Sequence, residues 1–176
     1  MYPFVRLTKA IVTARRQDPL PIDGTHVSHH VCWPWDLDLW AELNNGRALT
    51  LFDLGRIPLA VRTGLAAVLR ANGWGIAVAG ATTRYRRRVH AFHRIEMKSR
   101  CIGWDHRFLY MEQSMWRRGE CTSHMLLRGA VTSKAGIVAP AQVLAAMGLD
   151  TRSPPLPAWA ETWIAAEGER PWPPQG

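Results

Sequence analysis

The spacing of apolar residues predicts a strand and two helices in the first half of the chain. Alternation and β-branched residues in THVSHHVCW indicate a strand over 25–33, which Pro34 ends. Apolar residues around most of the circumference then predict a buried helix, which starts at Asn44 or Asn45 and is closed by Pro58. A second, amphipathic helix is predicted over 59–71.

The second half of the chain reads as β-structure. GIAVAGATTRYRRRV begins as a buried strand and turns basic, and HRIEMKSRCIGW alternates between apolar and charged positions. FLYMEQSMW and CTSHMLLRGAVTS follow after short turns, which force antiparallel neighbours and predict a meander. A short helix from Ala139 and a Pro/Trp-rich tail within 139–176 close the chain, and 1–23 form a loosely structured or partly helical lead-in.

A helix that is apolar on most sides needs covering on most sides. A strongly curved antiparallel sheet would supply that cover, and Gly55 would let the helix lie close to it. The pattern therefore predicts an α+β fold with one central apolar helix. A length of 176 residues fits a single domain.

Charge and cysteine content narrow the function classes. The 22 basic and 14 acidic residues give a net charge of +8, which favours an anionic partner, although a basic surface with no specific ligand is equally compatible. Three scattered cysteines fit free buried thiols in a reducing compartment. With no signal peptide and no apolar run long enough to span a membrane, the expected location is the cytoplasm.

The run DLDLWAELNNGRALTLFDLGR resembles the signature of hotdog-fold acyl-CoA thioesterases of the 4-hydroxybenzoyl-CoA thioesterase kind. Positions that match the pattern are Asp36, Asp38, Asn44, Asn45 and Arg56. TTRYRRRV and SRCIGWDHRFLYMEQ resemble the strand-turn-strand of that family, so the likeness covers roughly 25–135. The chain departs from the pattern where the family has Gly, His and Tyr: these positions hold Ala41, Glu42 and Ala48.

The resemblance implies a single hotdog domain and a site at the start of the central helix. In the family the second Asp is the usual catalytic carboxylate, which here is Asp38, and the thioester carbonyl is usually polarised by a backbone amide, here of Asn45 or Gly46. Two protomers usually join their sheets side by side with the active site between them. The resemblance thus implies a homodimer or a dimer of dimers, with coenzyme A as part of the substrate and no other cofactor.

The chemistry is also consistent with the residues themselves. A carboxylate ahead of a helix can meet a carbonyl held by the free amides and positive dipole end of that helix. Asp38 would attack directly or act as a general base, and Glu42 would assist as a second base or orient water. The structural alternatives are a turn or capping role for Asp38 and a surface role for Glu42. Asn44 is a candidate substrate ligand, and its alternative is a capping role. Asp36 is expected to orient the loop rather than to catalyse.

A basic run, RYRRRVHAFHR, supplies the second group of candidates. On a strand Arg84, Arg86 and Arg88 would share one face, where guanidinium groups suit the phosphates of coenzyme A. The alternative is a solvated edge strand protected by charge.

Two other functions remain as alternatives to hydrolysis. One is a non-catalytic hotdog protein that binds acyl-CoA or an acyl carrier, suggested by the missing His and Tyr. The other is single-stranded nucleic-acid binding, because basic residues are interspersed with Tyr85, Phe92 and Trp104. It ranks far lower, and no nucleic-acid partner is expected. The histidines have no metal-ligand spacing, so no metal is expected, and no GxSxG motif supports a serine hydrolase.

Overall fold

The computed structural model describes residues 2–174, in which an antiparallel sheet curls around one long helix. The helices are α1 (Phe4–Ala14), α2 (Asn45–Arg62), α3 (Leu65–Ala71), α4 (Pro140–Ala146) and α5 (Ala158–Glu169). The strands are β1 (His26–Val31), β2 (Gly75–Tyr85), β3 (Arg94–Trp104), β4 (Leu109–Arg117), β5 (Glu120–Ser133) and β6 (Gly136–Val138). A short 3-10 helix, Pro34–Asp36, follows β1.

The strand order across the sheet is β1-β3-β4-β5-β2, with β6 pairing against the end of β5. Every neighbouring pair is antiparallel, and β3, β4 and β5 follow one another directly. The predicted meander is therefore confirmed. The expectation of an α+β fold with a curved sheet around a central apolar helix is confirmed as well, because α2 packs against β1, β3 and β4.

The central helix lies unusually close to the sheet at Gly55. A Cβ added there would collide with the Ser99 hydroxyl and lie 2.7 Å from Met97 Sδ, both on β3. Beside this contact Gln113 Nε2 donates to the Phe52 carbonyl at 2.8 Å, which ties β4 to α2. The predicted close approach at Gly55 is confirmed.

Two helix boundaries differ from the prediction. Pro58 does not close the central helix but lies inside α2, which runs on to Arg62. Pro58 and Leu59 are both buried, so packing against the core outweighs the hydrogen bond that proline cannot make. The break comes at Gly64, whose φ of 81° is left-handed, so the second predicted helix is reduced to α3.

Strand β2 is not the buried strand that the sequence predicts. It lies at the edge of the sheet and pairs only with β5 among the described strands, and most of its residues are exposed. The apolar run GIAVAG cannot distinguish a buried strand from an edge strand, since small residues occur in both.

Helices lie at both ends of the chain, and the partly helical alternative for the lead-in is confirmed. The lead-in contains α1, which packs on α2. The tail contains α5, which covers the face of the sheet opposite α2 through an apolar cluster formed by Ile102, Tyr110, Leu126 and Ala160. Arg128 on β5 adds an ion pair to Glu167 on α5, with 3.2 Å between Nη2 and Oε2.

Candidate active site at the start of the central helix

The first turn of α2 presents unbonded amides. Asn44 is the N-cap, and its Oδ1 accepts a hydrogen bond from the Arg47 amide at 3.0 Å. The Ala48 amide donates to the Asn44 carbonyl at 2.8 Å. The amides of Asn45 and Gly46 have no acceptor within the part of the chain that the structure describes, so two donors remain available at the positive end of the helix dipole.

Asp36 anchors the loop that leads into this turn. Its carboxylate is fully buried and accepts from Arg6 Nη1 at 2.7 Å and from Arg47 Nε at 2.9 Å. The Trp33 amide donates to the same carboxylate at 3.0 Å. One carboxylate thus ties α1, the 3-10 helix and α2 together, in agreement with an orienting rather than a catalytic role.

Asp38 lies at the base of a small loop closed by a bridge between Leu37 and Leu43. Its Oδ1 accepts from the Trp40 amide at 2.9 Å and from the Glu42 amide at 3.3 Å, while the Asp38 amide donates to the Glu42 carbonyl at 2.8 Å. The turn role considered for Asp38 is therefore present. Its second oxygen, Oδ2, has no hydrogen bond to any described residue, which leaves it available for chemistry.

Glu42 and Asn45 line a cleft beside the helix start. The cleft has a volume of about 250 Å³ and is walled by Glu42, Leu43, Asn45, Tyr85, Arg86, Arg87, Arg88, Val89 and Ser123. Glu42 Oε1 pairs with Arg88 Nε at 3.1 Å across its mouth. Of the predicted site residues, the cleft brings together Glu42, Asn45, Arg86 and Arg88, whereas Asp38, Asn44, Gly46 and Arg84 do not line it.

The three predicted arginines do not share a strand face. Strand β2 ends at Tyr85, and the Arg86 and Arg87 amides both donate to the Thr122 carbonyl, at 2.8 and 3.1 Å. Arg84 is therefore on the strand, while Arg86 and Arg88 belong to the irregular segment that follows. The face predicted from alternation is wrong because the alternation stops where the strand does.

Tyr85 connects β2 to the helix start. Its hydroxyl donates to the Asn45 carbonyl at 3.3 Å, and burial raises the pKa of this phenol, so it stays protonated at neutral pH. The resemblance places a tyrosine at position 48, where this chain has a buried alanine within the core. The sequence names Tyr85 only for the nucleic-acid alternative, and the three-dimensional proximity of β2 to α2 is what places it beside the candidate hydrolase site.

A second cleft adjoins the first through Tyr85, Arg86, Arg87 and Ser123. It measures about 640 Å³ and also contacts Glu120, Cys121 and His124. On its floor His124 Nε2 lies 2.8 Å from Glu112 Oε1, and this hydrogen bond, together with Arg100, lowers the pKa of Glu112. Within residues 2–174, no three His, Cys, Asp or Glu side chains lie close enough together to hold a metal ion.

Comparison with known proteins identifies the family. Residues 32–164 match the family described as the thioesterase-like superfamily, which is most of the chain. The chain belongs to the thioesterase-like superfamily. The family resemblance expected from the sequence, and with it the hotdog fold, are confirmed.

Solved thioesterase-like structures share the fold at low sequence identity. The E. coli probable thioesterase YbaW has a TM-score of 0.65 at 14% identity, covering 69% of this chain and 96% of that one. The DHNA-CoA thioesterase of Staphylococcus aureus has a TM-score of 0.60 at 10% identity, covering 82% of this chain and 91% of that one. At these identities the likeness shows the fold alone.

Among curated proteins, this thioesterase-like chain resembles Protein THEM6. The Xenopus laevis protein is 32% identical over 112 residues, which is 62% of this chain and 54% of that protein. The Drosophila melanogaster protein is 28% identical over 112 residues, which is 62% of this chain and 58% of that protein. The chain thus spans just over half the length of these curated relatives. Membership of the superfamily supports thioester hydrolysis as the general reaction class.

Proposed function

We propose that the chain hydrolyses an acyl-CoA or acyl-carrier thioester to a free acid and a thiol, at the start of α2. The observation that carries the proposal is the pair of unbonded amides at Asn45 and Gly46, next to a loop that holds the Asp38 carboxylate. Family membership supports the same reaction class.

The amides supply the electrophilic part of the mechanism. A thioester carbonyl oxygen placed over the first turn of α2 accepts from the Asn45 or Gly46 amide, and the negative charge that develops on it is stabilised by the helix dipole. The Tyr85 bond to the Asn45 carbonyl and the Asn44 cap hold this turn in place. The donors are thus oriented before the substrate binds.

The carboxylate supplies the nucleophilic part. In the general-base route Asp38 Oδ2 takes a proton from water, whose oxygen attacks the carbonyl carbon, and the carbon–sulfur bond then breaks to release the thiol. In the nucleophilic route Oδ2 attacks first, the thiol leaves, and water hydrolyses the resulting anhydride. Label in Asp38 after a single turnover in heavy-oxygen water would identify the nucleophilic route, because only an anhydride that water opens at the Asp38 carbon places the label in the protein.

The arginines beside the cleft suit the carrier part of the substrate. Arg86 has no carboxylate partner within residues 2–174, and Arg88 is largely exposed apart from its pair with Glu42. Guanidinium groups bind phosphate oxygens in pairs, so the segment fits the phosphates of coenzyme A. Arg84, exposed at the end of β2, is placed to extend this basic surface. Glu42 orients Arg88 or a water molecule in this arrangement.

The exposed edge of β2 supports the proposed homodimer. An 11-residue strand with one unpaired edge and exposed Ile76 and Val78 is a surface that natural proteins usually cover. Side-by-side pairing with the β2 of a second copy would cover it and bring a second chain to the cleft, with a dimer of dimers as the larger form. The mass in solution, measured by light scattering, tests this assembly.

A thiol-release assay on the purified chain tests the reaction. Acyl-CoA thioesters with short, long and aromatic acyl groups are supplied, and appearance of free coenzyme A is measured. Hydrolysis of at least one class well above the spontaneous rate is expected. Spontaneous rates across the whole panel would contradict the proposed reaction.

A second candidate is binding of acyl-CoA without hydrolysis. Two observations favour it. Glu42, where the resemblance has His, is held by Arg88, and one Asp38 oxygen is already occupied by two backbone amides. A rise in melting temperature with coenzyme A thioesters, with no thiol released from the panel, would favour binding over hydrolysis.

A further inference from the structure

Two neighbouring loops at one end of the sheet expose large apolar side chains. We define the apolar tip as four of them: Trp35 (66% exposed), Leu39 (96%), Trp40 (77%) and Phe92 (65%). Single exposed apolar residues are common on soluble proteins, but a contiguous group of this size marks an interaction surface.

Backbone contacts hold the two loops of the tip together. The Phe92 amide donates to the Cys32 carbonyl at 2.6 Å, and the Cys32 amide donates to the His93 carbonyl at 3.0 Å. His90 Nδ1 lies 3.0 Å from the Ala41 carbonyl, so the loop after Trp40 is tied to the loop before Phe92. The tip is therefore one surface.

Aromatic packing gives the tip a rigid base. Half-buried Trp33 stacks on Trp35 with ring centroids 5.3 Å apart and an interplanar angle of 10°. Phe92 meets the same Trp33 edge-on at 6.1 Å. The Trp35 and Phe92 rings are thus fixed before any partner arrives, which lowers the entropy lost when they bind.

Cationic side chains surround the tip. Three arginines at this end have no carboxylate partner within residues 2–174: Arg94, Arg117 and Arg118. Glu96 pairs with Trp116 in the β3–β4 register, so Arg94, two residues before, and Arg118, two residues after, emerge at the same end of the sheet. Val31, at the end of β1, is paired with Arg94 and leads into the Trp35 loop.

We propose that the apolar tip docks onto an anionic lipid surface. Tryptophan favours the headgroup region of a bilayer, where the ring is apolar and the N–H is hydrated, and Leu39 and Phe92 add apolar depth. The unpaired arginines meet lipid phosphates, and the net charge of +8 attracts the whole chain to the surface. None of the helices in residues 2–174 is long and apolar enough to cross a membrane.

The positive charge of the arginines around the apolar tip favours lipid over a second copy of the chain. A second copy would bring the same unpaired arginines against this end, whereas an anionic bilayer supplies the opposite charge. Docking does not rest on the proposed hydrolysis, because binding to vesicles is measured with no thioester present.

Vesicle co-sedimentation tests the proposal. The wild-type chain is mixed with phosphatidylcholine vesicles that contain about one third phosphatidylglycerol, and with vesicles of phosphatidylcholine alone. Binding to the anionic vesicles that weakens with added salt is expected. Absence of binding to them, or equal binding to both kinds of vesicle, would overturn the proposal.

Two variants locate the contact. A double variant, Leu39→Asp with Trp40→Ser, should weaken vesicle binding at least about tenfold, and Arg118→Glu at least about fivefold. The matched controls are Trp172→Ser, which removes another highly exposed tryptophan, and Arg70→Glu at the opposite end of the sheet; both should bind like the wild type. Equal loss in the controls, or no loss in the tip variants, would refute docking through the tip.

Light scattering without lipid separates lipid docking from self-association through the tip. The double variant should keep the wild-type mass. A lower mass would show that a second copy covers the tip and would overturn the lipid assignment. Circular dichroism checks that the variants are folded, as expected for substitutions of exposed side chains.

Discussion

Replacement of Asp36 by alanine should destabilise the protein more than any other single change in the loop before α2. The substitution removes a fully buried carboxylate that accepts from Arg6, Arg47 and the Trp33 amide. The Arg6 side chain, 18% exposed, loses its carboxylate and keeps only the Val31 carbonyl, and the Trp33 amide loses its acceptor. Breaking such a pair costs about 3–5 kcal/mol, against a total stability of roughly 5–15 kcal/mol for a typical domain.

Urea unfolding followed by circular dichroism measures this effect. With a slope of about 2 kcal/mol per M urea, the Asp36→Ala midpoint should fall by roughly 2 M. Adding Arg6→Ala should cost less in the Asp36→Ala background than in the wild type, because the two side chains act as a pair. Asp150→Ala, which breaks the exposed pair with Arg152, is the control and should leave the midpoint unchanged.

A small shift would refute the anchoring role. If Asp36→Ala lowered the free energy of unfolding by less than about 1 kcal/mol, the carboxylate would behave like a surface group, for which pairing is worth that little. The loop before α2 would then be held by its apolar contacts, and the orientation of the site would need another explanation.

Three further changes have defined outcomes. Gly55→Ala places a methyl group against β3 and should cost about 1–3 kcal/mol in urea unfolding, whereas Gly168→Ala, with open space around it in α5, should be neutral or stabilising by up to about 1 kcal/mol. Burial, then Arg62, lowers the pKa of His26 from 6.5 to about 4, so the unfolded chain binds the proton first and His26 should reduce the free energy of unfolding by about 3 kcal/mol as the pH falls from about 6.5 to 4. His30, whose pKa burial also lowers to about 4, adds to this decline, so His26→Gln should make it less steep in urea titrations at each pH without abolishing it. Asn44→Ala removes the cap of α2 and should cost about 1 kcal/mol in thermal unfolding, while Asn44→Ser should restore most of it.

Periodicity predicts those elements whose two faces differ. Strand β3 alternates between buried Ile95 and Met97 and exposed or half-buried charges, and the sequence pattern identifies it without ambiguity. Strand β2 carries mainly small residues on both faces, so the same reasoning misplaces it in the interior. Pro58 shows a different limit of sequence reasoning. Proline locally disfavours continuation of a helix, but burial of α2 outweighs that preference.

The residues of the candidate site also divide into those that a local sequence pattern predicts and those that only tertiary packing brings in. The Asn44 cap follows from a local rule about the first turn of a helix, and the structure confirms it. Arg6, which pairs with Asp36 from 30 residues away, and Tyr85, which reaches α2 from β2, are brought in only by tertiary packing, for which the sequence contains no local signal. Predictions that depended on a strand continuing past Tyr85 were wrong for the same reason.

Thiol release by Asp38→Asn tests the central claim most directly. Asparagine keeps an oxygen that can accept from the Trp40 and Glu42 amides, so the loop should survive, but the negative charge is gone. Glu161→Gln, which neutralises an exposed carboxylate on α5, is the matched control. On a thioester that the wild type hydrolyses, we expect the rate of Asp38→Asn to fall at least about a hundredfold with an unchanged melting temperature, and the control to keep its rate. Full activity in folded Asp38→Asn would contradict the assignment of Asp38 as the catalytic carboxylate.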